Sequence, residues 1–349
     1  MIYHLVGWHH EYPDAGTLLG RLGIYGVSMF FVLSGLSMAL VYSRSIRDVR
    51  TSAAFFVRRI FRIWPLLWLA VVAVTVGDVL LRQDEVAWTL VLLNPTTLFG
   101  FVSPGSYINT GAWSIGNEMV YYALTPLLIG AYNRRLLYGN ALLAATVAVG
   151  VYYGFHALSA DVPLQAQWNT YINPFNNLFL FCAGVAIYFN SHAHTHSHGN
   201  VRATIAMLTA LAIFCLYPVS GDVANIVVGV NRVVFCVAAV LLVLAFYNLS
   251  VELPTWLSGV LGALGVATYG IYLLHPIVHS ALGALFAATH IEPPALLIGV
   301  LTVIFTIGAS LVSYRLMEAP LIRLGRRITA PKAAVPSGNS IRVVRLPGA

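Results

Sequence analysis

The sequence predicts an all-α integral membrane protein, a bundle of about ten transmembrane helices, on the evidence of its composition, its apolar runs and the placement of its charges. Of 349 residues, 59% are hydrophobic and 9% are charged, and the mean hydropathy is +0.80. Soluble domains carry roughly one-quarter charged residues, so a water-facing surface cannot be built from this composition. The 29 glycines, 16 prolines and 12% aromatic content suit packed membrane helices, where small residues permit close approach and helix breaks are tolerated inside a bundle. The alternating short strands of a membrane β-barrel are not evident in the sequence.

Apolar runs of about 20 residues, enough to cross ~30 Å of hydrocarbon, cover 24–42, 63–81, 112–132, 136–156, 171–189, 203–219, 227–248, 264–287 and 294–317. Residues 1–8 are too short to span and read as the outer end of a first helix that begins upstream. They carry neither the charged n-region nor the small-residue cleavage site of a signal peptide. Residues 86–102 are apolar but broken by Asn94-Pro95, and are expected to be interfacial or re-entrant. Residues 1–330 form one transmembrane domain in this reading, and 331–349, with its Pro, Gly, Ser and Arg, is expected to be a flexible cytoplasmic tail.

Basic residues occupy alternate loops. Arg44, Arg47, Arg50, Arg58, Arg59 and Arg62 form one group, Arg134 and Arg135 a second, Arg202 a third, and Arg323, Arg326, Arg327 and Lys332 a fourth. The positive-inside rule places these loops in the cytoplasm, with the C-terminus. The other loops carry Glu11, Asp14, Asp84, Glu85, Asp161, Asp222 and Glu292, with Arg21 and Arg82 as their basic members. Topology therefore accounts for the net charge of +7, and no nucleic-acid partner is implied.

Polar residues inside apolar sequence are expensive and mark candidate sites. Arg58-Arg59-Ile60-Phe61-Arg62 presses three arginines against a span, and helical spacing puts Arg59 and Arg62 on one face. An anion site and snorkelling topology signals both fit that pattern. His4 lies in an apolar fragment, where a neutral imidazole can take a proton from a hydroxyl or simply pack. Glu118 lies one turn from Tyr121 and Tyr122 and needs a donor or cation, for which those tyrosines, His4 and an arginine are candidates. His275 and His279 have the spacing of metal ligands on a helix, but no glutamate follows His275 as a zinc hydrolase motif requires, so no metal is expected. The tract His192-Ala193-His194-Thr195-His196-Ser197-His198 suits either a metal-binding or a solvated loop. Cys182, Cys215 and Cys236 fall in apolar spans as small hydrophobes.

In their order, these segments resemble the membrane acyltransferase 3 family, which moves acyl groups from acyl-CoA to sugars and related acceptors of bacterial envelopes. Tyr3-His4-Leu5 is similar to the end of its first helix, and Gly26-Val27-Ser28-Met29-Phe30-Phe31-Val32-Leu33-Ser34-Gly35 to its second. Residues 58–65 match its arginine motif, and Trp113-Ser114 with Glu118, Tyr121, Tyr122 and Pro126 follows its Trp-Ser and Glu pattern. Residues 269–275 and Glu318-Ala319-Pro320 resemble its last two motifs. The family's arginine about three turns before the histidine has no counterpart, because the sequence starts after that point.

The resemblance implies an envelope-glycan O-acyltransferase of the bacterial inner membrane. His4 would be the general base and Glu118 would polarise the site. Arg59 and Arg62, with Arg58, would hold the phosphates of acyl-CoA, acetyl-CoA by default, and Trp113, Tyr272 and His275 would shape the substrate site. The acceptor would be a glycan or lipid-linked glycan. A transporter or flippase for an anionic envelope lipid would also want arginines at the inner face, yet would leave thioesters intact. A non-catalytic scaffold would tolerate loss of His4.

Overall fold

The computed structural model describes residues 1–82, 87–191 and 199–330, and no strand occurs among the described residues. Asp84, Glu85, the histidine tract at 192–198 and the tail at 331–349 lie outside the described residues. In chain order the helices are α1 (Ile2–His9), α2 (Leu18–Tyr42), α3 (Val49–Gly77), α4 (Trp88–Leu93), α5 (Phe99–Val102), α6 (Ala112–Arg134) and α7 (Leu136–Tyr152). They continue as α8 (Trp168–Tyr171), α9 (Pro174–Ser191), α10 (Gly199–Leu216), α11 (Ala224–Val227), α12 (Gly229–Asn248), α13 (Thr255–Ala288), α14 (Ala295–Ser313) and α15 (Ala319–Ile328). Among the described residues, seven helical segments are long and apolar enough to cross a membrane. With α6 and α10 they coincide with the runs expected from the sequence.

Local chemistry sets several boundaries. Thr17 caps α2 by accepting from Gly20 N at 3.0 Å, and Asp48 opens α3 with a capping box in which Thr51 N donates to Asp48 Oδ1 at 2.8 Å and Asp48 N donates to Thr51 Oγ1 at 3.0 Å. The interrupted segment becomes α4 and α5, joined by a turn around Asn94. The fully buried Asn94 side chain donates to Leu90 O and Ser106 O, both at 2.9 Å, and accepts from Ile108 N at 3.0 Å. Those bonds satisfy backbone groups that a break inside apolar surroundings would otherwise strand.

Helix α6 falls outside the apolar spans because of its polar content, and its burial explains that content. Every residue from Ala112 to Tyr122 is buried, so this half of the helix faces protein on all sides. The most extensive helix pairing is α2 against α9. A Cβ on Gly35 would lie 1.9 Å from Phe181 O, and one on Gly184 would lie 1.9 Å from Val32 O. The two backbones touch through glycines, the small-residue mode of membrane helix packing. Cys182 and Cys236 are buried, as expected of small hydrophobes, while Cys215 is exposed.

Candidate active site

Two polar groups sit at different depths of the bundle, both bordering α2. The first forms where α1 meets α13. His4 stacks on His275 at a centroid distance of 5.5 Å and on Trp8 at 5.7 Å, and Trp8 stacks on His279 at 4.7 Å. Pro276 lacks the N–H that Tyr272 O would accept in a regular helix. His275 Nδ1 fills that place, 2.9 Å from Tyr272 O. A carbonyl only accepts, so Nδ1 carries the proton and Nε2 is the bare nitrogen. His275 Nε2 and His4 Nδ1 are both buried without a hydrogen-bond partner among the described residues.

His4 faces a cavity of about 440 Å³ walled by aromatic side chains that include Trp8, Tyr107, Trp113, Trp168 and Tyr171. Its floor is held by Tyr272, whose hydroxyl donates to Gly111 O at 2.8 Å and lies 2.9 Å from Ser114 Oγ. Gly111 has φ of +86°, and a Cβ there would sit 2.8 Å from the Tyr272 hydroxyl, so glycine serves both the backbone angle and the close approach.

The second group gathers on α3, α6 and the turn before α15. Arg62 Nη1 pairs with Glu318 Oε2 at 2.7 Å, with the Glu318 side chain fully buried and that of Arg62 27% exposed. A π-turn, Tyr314–Glu318, delivers this carboxylate. The Arg62 guanidinium also packs over the rings of Tyr269 at 5.7 Å and Tyr314 at 6.0 Å. Arg59 sits among Tyr42 at 5.2 Å, Tyr122 at 5.5 Å and Phe55 at 6.0 Å, and donates to Tyr42 OH at 3.1 Å. Its Nε is buried with no partner among the described residues. Glu118 accepts from Ser34 Oγ at 2.6 Å and from the Tyr122 hydroxyl.

The structure therefore separates residues that the sequence had grouped. His4, Trp113 and Tyr272 share the aromatic cavity, with His275 stacked on His4. Glu118 is five residues further along α6 than Trp113, about 7.5 Å by helical rise, and its hydrogen bonds go to a serine and a tyrosine, with none to His4. Arg59 faces Tyr42 and Tyr122, Arg62 faces Glu318 before α15, and Arg58 donates through Nε to Thr329 Oγ1 at 2.7 Å at the end of α15. Trp8, Tyr107, Trp168 and Tyr171 are wall residues that sequence reasoning missed, as is Ser34 as a partner of Glu118. Trp168 and Tyr107 had one available signal, polar-tipped aromatics close to apolar spans, and they pair in the structure through Trp168 Nε1 and Tyr107 OH at 2.9 Å.

A family model described as an acyltransferase domain, acyltransferase 3, matches residues 1–315. The chain belongs to this family. It is a multi-pass membrane acyltransferase, as its family and its apolar helices together indicate. It is 27% identical over 325 residues, covering 88% of this chain and 93% of the relative, to the exopolysaccharide production protein ExoZ of Rhizobium meliloti (strain 1021). No solved structure gives a significant match.

Proposed function

We propose that this acyltransferase moves an acyl group, acetyl in the simplest case, from acyl-CoA to a hydroxyl of an exported or envelope glycan across the bacterial inner membrane. The arginine end faces the cytoplasm, with the C-terminus, as the positive-inside rule requires. The aromatic cavity then faces outward, where a glycan would arrive. ExoZ, by its name an exopolysaccharide production protein, supports a polysaccharide acceptor.

The observation that carries the reading is His4, which lines the cavity and whose Nδ1 is buried without a hydrogen-bond partner among the described residues. A neutral imidazole in that state is a base waiting for a donor. The acceptor hydroxyl gives its proton to His4 as its oxygen attacks the thioester carbonyl. Collapse of the tetrahedral adduct breaks the carbon–sulfur bond, and the imidazolium returns the proton to the departing thiolate. Arg59, with its unpartnered Nε and aromatic cage, and Arg62 would hold the CoA phosphates. Arg62 is already matched by Glu318, so Arg59 supplies the less committed charge. The stripe of Val27, Phe30 and Ser34 on α2 links the two groups. Val27 lines the cavity, Phe30 stacks on Tyr272 at 6.5 Å, and Ser34 donates to Glu118 at 2.6 Å. The long pantetheine arm would follow that stripe towards His4.

Free-thiol release from acetyl-CoA, with the protein in lipid nanodiscs and envelope glycan extract as acceptor, tests the proposal. Glycan-dependent release that disappears in His4→Ala is the expected result. Background release from a folded wild-type protein would overturn acetyl transfer to those glycans and turn attention to lipid transport.

A further inference from the structure

Among the described residues the aromatic cavity carries one carboxylate, Asp222, at its wall, and no arginine or lysine. Asp222 begins the turn into α11. Its Oδ1 accepts from Leu164 N at 3.0 Å and Ala224 N at 2.7 Å, so two loops fix the side chain. None of the described hydrogen bonds uses its other oxygen. The segment that carries it is clasped from beneath by Arg21, which is 3% exposed. Arg21 Nε donates to Ala15 O at 2.7 Å, Nη1 to Phe214 O at 2.9 Å, and Nη2 to Tyr217 O at 2.7 Å and Val219 O at 3.1 Å. Ala15 N in turn donates to Gly221 O at 2.9 Å. All three guanidinium nitrogens are committed to carbonyls, so Arg21 holds the backbone and makes no ion pair with Asp222 among the described residues.

We infer that the acceptor residue bound here is an uncharged sugar, with Asp222 as the residue that determines this specificity. The inference rests on the glycan-acceptor reading above. Pyranose rings present apolar C–H faces and a rim of hydroxyls. Flat walls such as Trp113 and Trp168, whose rings meet edge to face at 5.7 Å, suit the faces. A pre-oriented carboxylate accepts from the rim, and charge-assisted O–H bonds of this kind are the strong ones. A uronate, or an anionic substituent on the same ring, would meet a fixed like charge at the exposed rim of the cavity, a repulsion that is strongest at low ionic strength.

Binding read by tryptophan fluorescence in nanodiscs tests this without requiring transfer, because Trp8, Trp113 and Trp168 line the cavity. The probes are a neutral cello-oligosaccharide and an oligogalacturonate of equal length, with empty nanodiscs as the control. Wild type is expected to bind the neutral probe at least about tenfold more tightly, and Asp222→Asn to weaken that binding about tenfold while narrowing the discrimination. Asparagine keeps the oxygen that accepts from Leu164 and Ala224, so the loop should stay in place, and an unchanged melting temperature checks this. Equal binding of the two probes by wild type, or no binding of either, would overturn the inference whatever the variant does. Glycan-dependent thiol release alongside failed neutral binding would leave acyl transfer standing and remove only the claim for Asp222. Neutral binding without thiol release would do the reverse.

Discussion

The histidine group and the arginine group lie in the same bundle and are built from different chemistry. Around His4 the rings are stacked, and His4 Nδ1, His9 Nε2 and His275 Nε2 are buried without partners among the described residues. Around Arg62 the charges meet inside the protein, through the Glu318 ion pair and the two hydroxyl donors to Glu118, while Arg59 Nε, Trp64 Nε1 and Glu318 Oε1 are likewise buried without partners among the described residues. Burying an unsatisfied polar atom costs about 1–3 kcal/mol, so such atoms persist where a ligand completes them. What differs is charge: the first group is stacked rings beside a cavity, whereas in the second an ion pair ties α3 to the turn before α15 and Arg59 keeps one donor free among the described residues.

Substitutions can break this contrast. His4→Ala should lower transfer by at least about a hundredfold with little change in melting temperature, since removing a base costs rate and its packing neighbours are stacked rings. A large drop in melting temperature would instead make His4 a packing residue. Arg62→Ala should act on stability, costing roughly 3 kcal/mol by stranding the Glu318 carboxylate. Replacing both Arg62 and Glu318 by methionine should restore much of the loss in a thermal melt, which a residue acting only on CoA would not do. Glu118→Gln keeps an oxygen to accept from Ser34 and Tyr122, so unchanged folding with reduced thiol release would give the carboxylate charge a role beyond anchoring. Arg59→Ala should raise the KM for acetyl-CoA about tenfold, the worth of one charge-assisted contact. Arg58→Ala, whose side chain faces Thr329, should change that KM by less than about twofold; equal effects of the two would show that position on α3 does not sort their roles.

The spans were legible because lipid demands about 20 consecutive apolar residues, a signal that needs no partner to be read. Even α6 could be recognised, although its buried face carries Ser114, Asn117 and Glu118. Residues 86–102 were legible as broken but not as the α4–α5 turn, because Asn94 closes it through Ser106 and Ile108, across the loop. The site was legible only where a motif is local. His4, the arginines and Glu118 stand out against apolar neighbours, but the partner of Arg62 is 256 residues away in sequence. No spacing rule reaches that far. Tyr107, Trp168 and Asp222 come from the loop before α6, the start of α8 and the turn into α11, and their joint use of one cavity could not be read before the helices were packed. For Glu118 the sequence left tyrosine, histidine and arginine partners open, of which Tyr122 donates to it in the structure, while its serine donor went unseen.

Helix α2 carries two different surfaces back to back. Val32, Gly35 and Leu36 meet α9 at backbone contact, and Val27, Phe30 and Ser34 meet the two polar groups. The glycine side leaves no width for a chain of atoms, so anything travelling between the arginines and His4 is confined to the flank bounded by α6 and α13. The helix is in this sense a one-sided wall, sealed behind and grooved in front. Phe30 lies against Tyr272 on the grooved side, so added bulk at that position would fill the space between the two polar groups without touching the sealed side.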